Sequence, residues 1–148
     1  MKILQQLRKQ ERGKDVEELL KHIPYAQFLG LQVERHNHLI MTILPFKETL
    51  VGNTNLPALH GGAVGAMMEM TALIQLIYDS ASEILPQTID VSFDYLRSAR
   101  DQTTFGQAFV TRRGRRVANV RTELWQEDRH RPIAISHGHF LLNSLDAP

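Results

Sequence analysis

The sequence predicts an α+β domain, an antiparallel sheet with one long helix against a face. Three observations predict it. The segment His60 to Asp79 is helical and apolar nearly all round, as in a helix buried on most sides. A strand pair precedes it and four strands follow it, with no second long helix between them. The last strand carries Ala134, Ser136 and Gly138 on one face, and such small residues leave room for something bulky, of which the helix is the obvious candidate.

Each element has a local reason. Asp15 to His22 has helix character and Pro24 stops it. Leu31 to Leu44 reads as two strands turning near Asn37. Pro45 to Leu59 is a loop punctuated by Gly52, Asn53, Asn55 and Pro57. After the helix, Thr88 to Arg97 alternates, with Ile89, Val91, Phe93 and Tyr95 on one face. Thr103 to Arg112 is β-branched and aromatic, and Gly114 makes a hairpin turn to Val117 to Gln126. Pro132 to Leu142 is the final strand. The expected organisation is one domain over residues 1–148, with 1–22 as an N-terminal helical extension.

Composition removes several classes of function. The chain is 43% hydrophobic and 22% charged, too apolar and too evenly charged to be disordered. It has no cysteine, which excludes a disulfide scaffold, cysteine metal sites and a cysteine nucleophile. Met1 to Lys14 is polar and basic and does not resemble a secretory signal. Gly61 to Tyr78 is long enough to span a bilayer, but it carries Glu69 near its centre, at a cost of about 2.5–3.5 kcal/mol in lipid. A cytoplasmic protein without membrane or nucleic-acid partners is expected. The formal charge of +1 hides a gradient: residues 40–96 hold one Lys/Arg against six acids, and residues 97–131 hold nine against four.

Chemistry is concentrated in and before the long helix. Gly61 and Gly62 stand at its start, where glycine weakens a helix but lets a ligand approach the first free N–H groups. A flexible joint between loop and helix is the plainer alternative. Glu69 is the only acid between Glu48 and Asp79, and its neighbours one turn away are uncharged. A carboxylate in such a place is rare without a partner, and desolvation is one way to prepare a base or nucleophile. A small exposed strip of helix is the other reading. Gly61 and Glu69 are separated by about 12 Å of helix axis at 1.5 Å per residue. If both serve one site, the second must come from another copy of the chain, related by a two-fold axis.

Other residues are less specific. Asn53, Thr54 and Asn55 precede the helix and either cap turns or orient a water or carbonyl. Arg112, Arg113, Arg115 and Arg116 surround Gly114 as a solvated hairpin end or a phosphate site; the run lacks the stacking aromatics of a nucleic-acid surface. His137 and His139 share a strand face, as His36 and His38 could, but no third metal ligand is evident, so no metal is expected. There is no G-x-S-x-G motif of a serine hydrolase.

These residues together resemble the hotdog-fold acyl-CoA thioesterases, in particular the phenylacetate-type branch and the related 4-hydroxybenzoyl-CoA thioesterases. The resemblance runs from about Leu19 to Leu142. It rests on Ile23-Pro24-Tyr25-Ala26, on His60-Gly61-Gly62 with an acid nine positions after the histidine, on Phe93-Asp94-Tyr95-Leu96-Arg97 and on Arg113-Gly114-Arg115. It implies a long central helix wrapped by a five- to six-stranded antiparallel sheet. It also implies hydrolysis of fatty or aromatic acyl-CoA, with coenzyme A as part of the substrate and no other cofactor. By resemblance Glu69 is the catalytic base or nucleophile, the Gly61 N–H polarises the thioester carbonyl with Gly62 beside it, and His60 braces the loop. Asn55 takes the amide role, although Thr54 stands at the family's usual amide position and Pro57 at its usual glycine. Arg113, Arg115 and Arg116 are assigned to the CoA phosphates, and Met68 and Phe93 to the acyl group. Homodimers, and tetramers of two dimers, are common in the family. A non-catalytic acyl-CoA or lipid binder and a 3-hydroxyacyl-thioester dehydratase are the rival readings.

Overall fold

The computed structural model describes residues 12–80 and 85–142. The extension's residues 1–11 lie outside this range. Helix α1 (Arg12–Lys21) ends before Pro24, as expected, but the same proline opens a second helix, α2 (Pro24–Leu29). Proline suits the first turn of a helix, where its missing N–H costs nothing. Gly30 ends α2 in the left-handed conformation at φ 73°.

Strands β1 (Gln32–His36) and β2 (Leu39–Leu44) form a hairpin whose turn holds Asn37 at φ 56°. The turn separates His36 from His38, so these two do not share a strand face. The segment sequence punctuation marked as a loop contains a 3₁₀ turn at Glu48–Leu50 and a small ladder of β3 (Val51–Asn53) with β4 (Ala58–Leu59). Helix α3 (Gly61–Asp79) follows, capped by His60. Strands β5 (Gln87–Tyr95), β6 (Thr104–Arg113), β7 (Val117–Trp125) and β8 (Ala134–Leu141) complete an antiparallel six-stranded sheet in the order β1-β2-β6-β7-β8-β5.

Helix α3 crosses the inner face of this sheet, chiefly over β6, β2 and β7. Met67 and Met68, fully buried, and Val64 and Ile74 join Leu44, Leu124 and Ala134 in the main core. Gly106 on β6 admits the helix: a Cβ there would meet Leu124, Thr42 and the Met67 methyl within 3.2 Å. The helix also meets β8, as its small residues suggested, with Ala134 in the main core and Phe140 clustered with Ala72 and Leu76 of α3. At Gly138 itself the nearest atoms are those of the Phe140 ring and Val91. Although α3 is long and apolar enough to cross a membrane, it is the core helix of this fold.

Buried polar groups fix the rotation of α3. Thr71 and Thr42 share a hydroxyl–hydroxyl bond of 2.6 Å, and Gln75 accepts from the Ile40 N–H at 2.8 Å while donating to His38 C=O and Asp79. A buried polar group left unpaired costs about 1–3 kcal/mol, so these bonds specify one helix orientation over the sheet. In that orientation one strip of α3 is only half covered: Ala66, Glu69, Met70, Leu73 and Ile77.

Candidate active site

The start of α3 is held from both sides. His60 Nδ1 accepts from the Gly62 N–H at 2.8 Å, which places the ring proton of the neutral imidazole on Nε2. The Tyr95 hydroxyl donates to the Gly61 C=O at 2.8 Å. Gly61 C=O and Gly62 N–H are the two ends of one planar peptide unit, so this unit is clamped at both ends. The N–H of Gly62 is thereby used. The N–H of Gly61 has no acceptor among the described residues and points outward with the helix dipole behind it.

Close approach favours glycine around this start more than at Gly61 itself. A Cβ at Gly61 would make only ordinary contact with the Tyr95 ring, at 3.7 Å, while one at Gly65 would meet the Tyr95 hydroxyl at 3.2 Å and the Phe93 ring at 3.6 Å. His60 in turn leans on Gly52, where a Cβ would come within 2.8 Å of the His60 Cα. The cleft in front of Gly61 has a volume of about 410 Å³ and includes Val64 and Tyr95 to Ala99 in its walls.

Glu69 lies two turns further along α3, on the half-covered strip. Its Oε1 accepts from the Thr88 hydroxyl at 2.6 Å. Thr88 was not legible as a site residue, because strict alternation with Val91, Phe93 and Tyr95 puts it on the opposite face of β5. A β-bulge reverses this. The register slips between Thr88 and Asp90, so Thr88 pairs with Phe140 while Val91 pairs with Gly138. Ile89, expected on the same face as Val91, Phe93 and Tyr95, occupies the extra position and is 54% exposed. Bulges re-aim side chains in this way.

The remaining predicted residues fall in several places. Asn55 is exposed; its own N–H is held by the Asn53 side chain at 2.9 Å, which makes Asn53 the turn-former and leaves the Asn55 amide unengaged among the described residues. Phe93 is half-buried beside Tyr95, their centroids 6.4 Å apart, and Met68 is buried in the core. Arg113, Arg115 and Arg116 are exposed on the β6–β7 hairpin, whose turn is closed by Gly114 N–H to Val117 C=O at 2.8 Å. The register places this hairpin beside the end of α3, about 28 Å of helix from Gly61. The charge of Arg113 is felt there by Asp79, whose carboxyl is nonetheless raised above the usual aspartate range by burial; the Gln75 hydrogen bond and the charges of Arg113 and His38 pull it back only in part. His139 is engaged by Asp90 at 2.9 Å on the exposed face.

Known proteins share this architecture. Residues 56–133 match the model of the thioesterase superfamily. The medium/long-chain acyl-CoA thioesterase YigI of Salmonella typhimurium is 30% identical over 121 residues, spanning 72% of this chain and 78% of its own. A crystal structure from Chromobacterium violaceum is 37% identical, with TM-score 0.78 over 99% of this chain and all of that one. Another, from Shewanella oneidensis and described as related to the thioesterase superfamily, is 29% identical, with TM-score 0.75 over 88% of this chain and 95% of that one. With its long helix packed on a six-stranded antiparallel sheet, the chain is a hotdog-fold member of the thioesterase superfamily.

Proposed function

We propose that this protein hydrolyses acyl-CoA thioesters of medium to long chain in the cytoplasm, as a homodimer with two shared sites. The observation that carries the reading is the unused Gly61 N–H, on a peptide unit clamped by His60 and Tyr95, in a chain whose only carboxylate between Glu48 and Asp79 is Glu69. A donor fixed in advance at a helix N-terminus stabilises the oxyanion that forms when a thioester carbonyl is attacked. Glu69 supplies the other half. It takes the proton of an attacking water and returns it to the departing sulfur as the C–S bond breaks, or it attacks the carbonyl itself, expelling the CoA thiolate, which takes a proton from solvent, and leaving an anhydride that water hydrolyses to the free acid. Thr88 orients its carboxylate.

Helix geometry supports the dimer. Gly61 and Glu69 of one chain are about 12 Å apart along the helix and cannot reach one carbonyl together. A two-fold axis beside α3 and β5 brings the helix start of one chain to the middle of the other. Both elements are suited to this contact. The half-covered strip of α3 is apolar around Glu69, and β5 is an edge strand whose outer backbone groups have no strand partner among the described residues. Arg113, Arg115 and Arg116 of the partner then arrive at the end where Gly61 lies. The relatives named as medium/long-chain acyl-CoA thioesterases support the substrate class.

The test is thiol release from a panel of short, long and aryl acyl-CoAs. Release from medium and long chains, lost in Glu69→Gln while acyl-CoA binding persists, is the expected result. Full activity in Glu69→Gln sinks the assignment. Binding without thiol indicates a carrier, and hydration without thiol a dehydratase.

A further inference from the structure

A second cleft, about 370 Å³ in volume, adjoins the one at Gly61; Arg97 and Ser98 line both. Three arginines surround it: Arg97, Arg100 and Arg131. We propose that this cleft binds phosphate, and that it receives the phosphorylated nucleotide end of the CoA whose thioester carbonyl lies at Gly61 of the same chain. The proposal rests on the acyl-CoA reading above and assigns the nucleotide to a place other than the Arg113–Arg116 hairpin.

The cleft is built rather than incidental. Its floor is Gln126, 8% exposed, whose amide accepts from the Arg100 N–H and donates to the Arg100 C=O, both at 3.0 Å, and donates to the Thr104 hydroxyl at 3.1 Å. This reciprocal pair holds the backbone under Arg100 as a strand partner would. The N–H groups of Leu96 and Arg97 both donate to Ile133 C=O, at 2.8 and 3.0 Å, fixing the wall against the β7–β8 connection that carries Arg131. The Leu59 N–H donates to Ala99 C=O at 2.8 Å, which ties the same wall to the residues just before Gly61. The backbone segments that carry the arginines are therefore tied to the one that carries the Gly61 N–H.

The charges are available. Arg97 gives one N–H to Pro132 C=O and keeps the rest of its guanidinium. Arg131 has no side-chain partner among the described residues. Two acids share the rim, but Asp128 is turned onto the His130 N–H, and Glu127 stands 3.9 Å from Arg100 with both side chains more than 70% exposed. An exposed pair at that distance holds its partner weakly, so a phosphate can displace it. Arginine is the side chain best shaped for such a group.

The experiment compares acyl-CoA with the matching acyl-pantetheine, which has the same thioester and no nucleotide. In Arg100→Ala/Arg131→Ala, KM for acyl-CoA is expected to rise about tenfold or more with kcat unchanged, while acyl-pantetheine kinetics stay at the wild-type level. Arg97 is spared because it also supports the wall. Binding of adenosine 3′,5′-bisphosphate to the unmodified protein, measured by calorimetry, should weaken by a similar factor in the same variant. A KM within twofold of wild type overturns the proposal, as does an equal loss on acyl-pantetheine. So does a loss confined to Arg115→Ala/Arg116→Ala. If the protein releases no thiol from any acyl-CoA, hydrolysis fails as a reading, and the bisphosphate measurement still decides the cleft.

Discussion

Replacing Gly61 by proline removes a single hydrogen from the helix start. Gly61 is the first helical residue, where proline is favoured and its fixed φ suits the helix. His60 before it sits at φ −60° and ψ 133°, the extended geometry that a following proline demands. A Cβ at position 61 would lie 3.7 Å from the Tyr95 ring, an ordinary contact. The Gly61 C=O and the Gly62 N–H, with their bonds to Tyr95 and His60, are retained. What disappears is the one N–H without an acceptor, and the proline Cδ stands in its place. Loss of one oxyanion donor costs about 2.7–4 kcal/mol, or roughly 10²–10³ in kcat. Gly61→Ala keeps the N–H and is the control, expected within about threefold of wild type, since its Cβ meets nothing closer than ordinary van der Waals contact. Thiol-release kinetics and a thermal melt on both variants provide the measurement. A folded Gly61→Pro protein that retains kcat within tenfold of wild type would refute carbonyl polarisation by this donor.

Thr88→Val removes the hydroxyl that holds Glu69; a hydrogen bond to a charged group is worth about 1.5–3 kcal/mol, and its exposure argues for the lower end, a loss of about tenfold in kcat with rescue by Thr88→Ser. Mixing inactive Glu69→Gln and Gly61→Pro chains, unfolded and refolded together, should restore about a quarter of the wild-type sites, because half the dimers are mixed and each mixed dimer has one intact site; no recovery places both groups in one chain. Phe140→Ala should destabilise the fold by about 3–5 kcal/mol in guanidinium denaturation, since the ring is buried among Ala72, Ala108 and Ala118, which cannot fill the space. For Asp79, a carboxyl raised by burial binds its proton more tightly folded than unfolded, so its contribution falls as pH rises from about 3.9 through the raised value; Asp79→Asn should flatten stability against pH across that window.

The long helix, the glycines at its start and the order of elements along the chain were legible because each rests on a local pattern: an apolar run, a glycine pair after a histidine, and alternation. Three features were not. The bulge at Ile89 adds one residue to β5, and nothing in Thr88-Ile89-Asp90 announces it; only the pairing with β8 reveals which face Thr88 takes. Pro24 reads locally as a stop, while its role as a start depends on the contacts that bury Ala26 and Leu29. The basic segment 97–131 counts as one block in sequence, yet the fold sends its arginines to opposite ends of α3. Arg112 to Arg116 go to the hairpin beside Asp79, and Arg97, Arg100 and Arg131 to the cleft beside Gly61. Charge counted along a chain carries no information about which end of a sheet a turn occupies.

Strand β5 connects assembly to chemistry. Its inner face supplies Thr88 to Glu69 and Tyr95 to Gly61, so one strand touches both halves of the site in its own chain. The same strand is an edge, and Tyr95 and Ile89 are each more than half exposed. An exposed edge bearing large apolar side chains is a liability that proteins ordinarily blunt with charge or cover. In the proposed dimer the partner covers it, and the covering and the completion of the site are the same event. Activity should then follow the dimer and not the folded monomer. On dilution, specific activity should fall with the midpoint at which light scattering reports dissociation, while circular dichroism still reports the sheet. A specific activity that stays constant through dissociation would mean that each chain carries a whole site, against the 12 Å that separates Gly61 from Glu69.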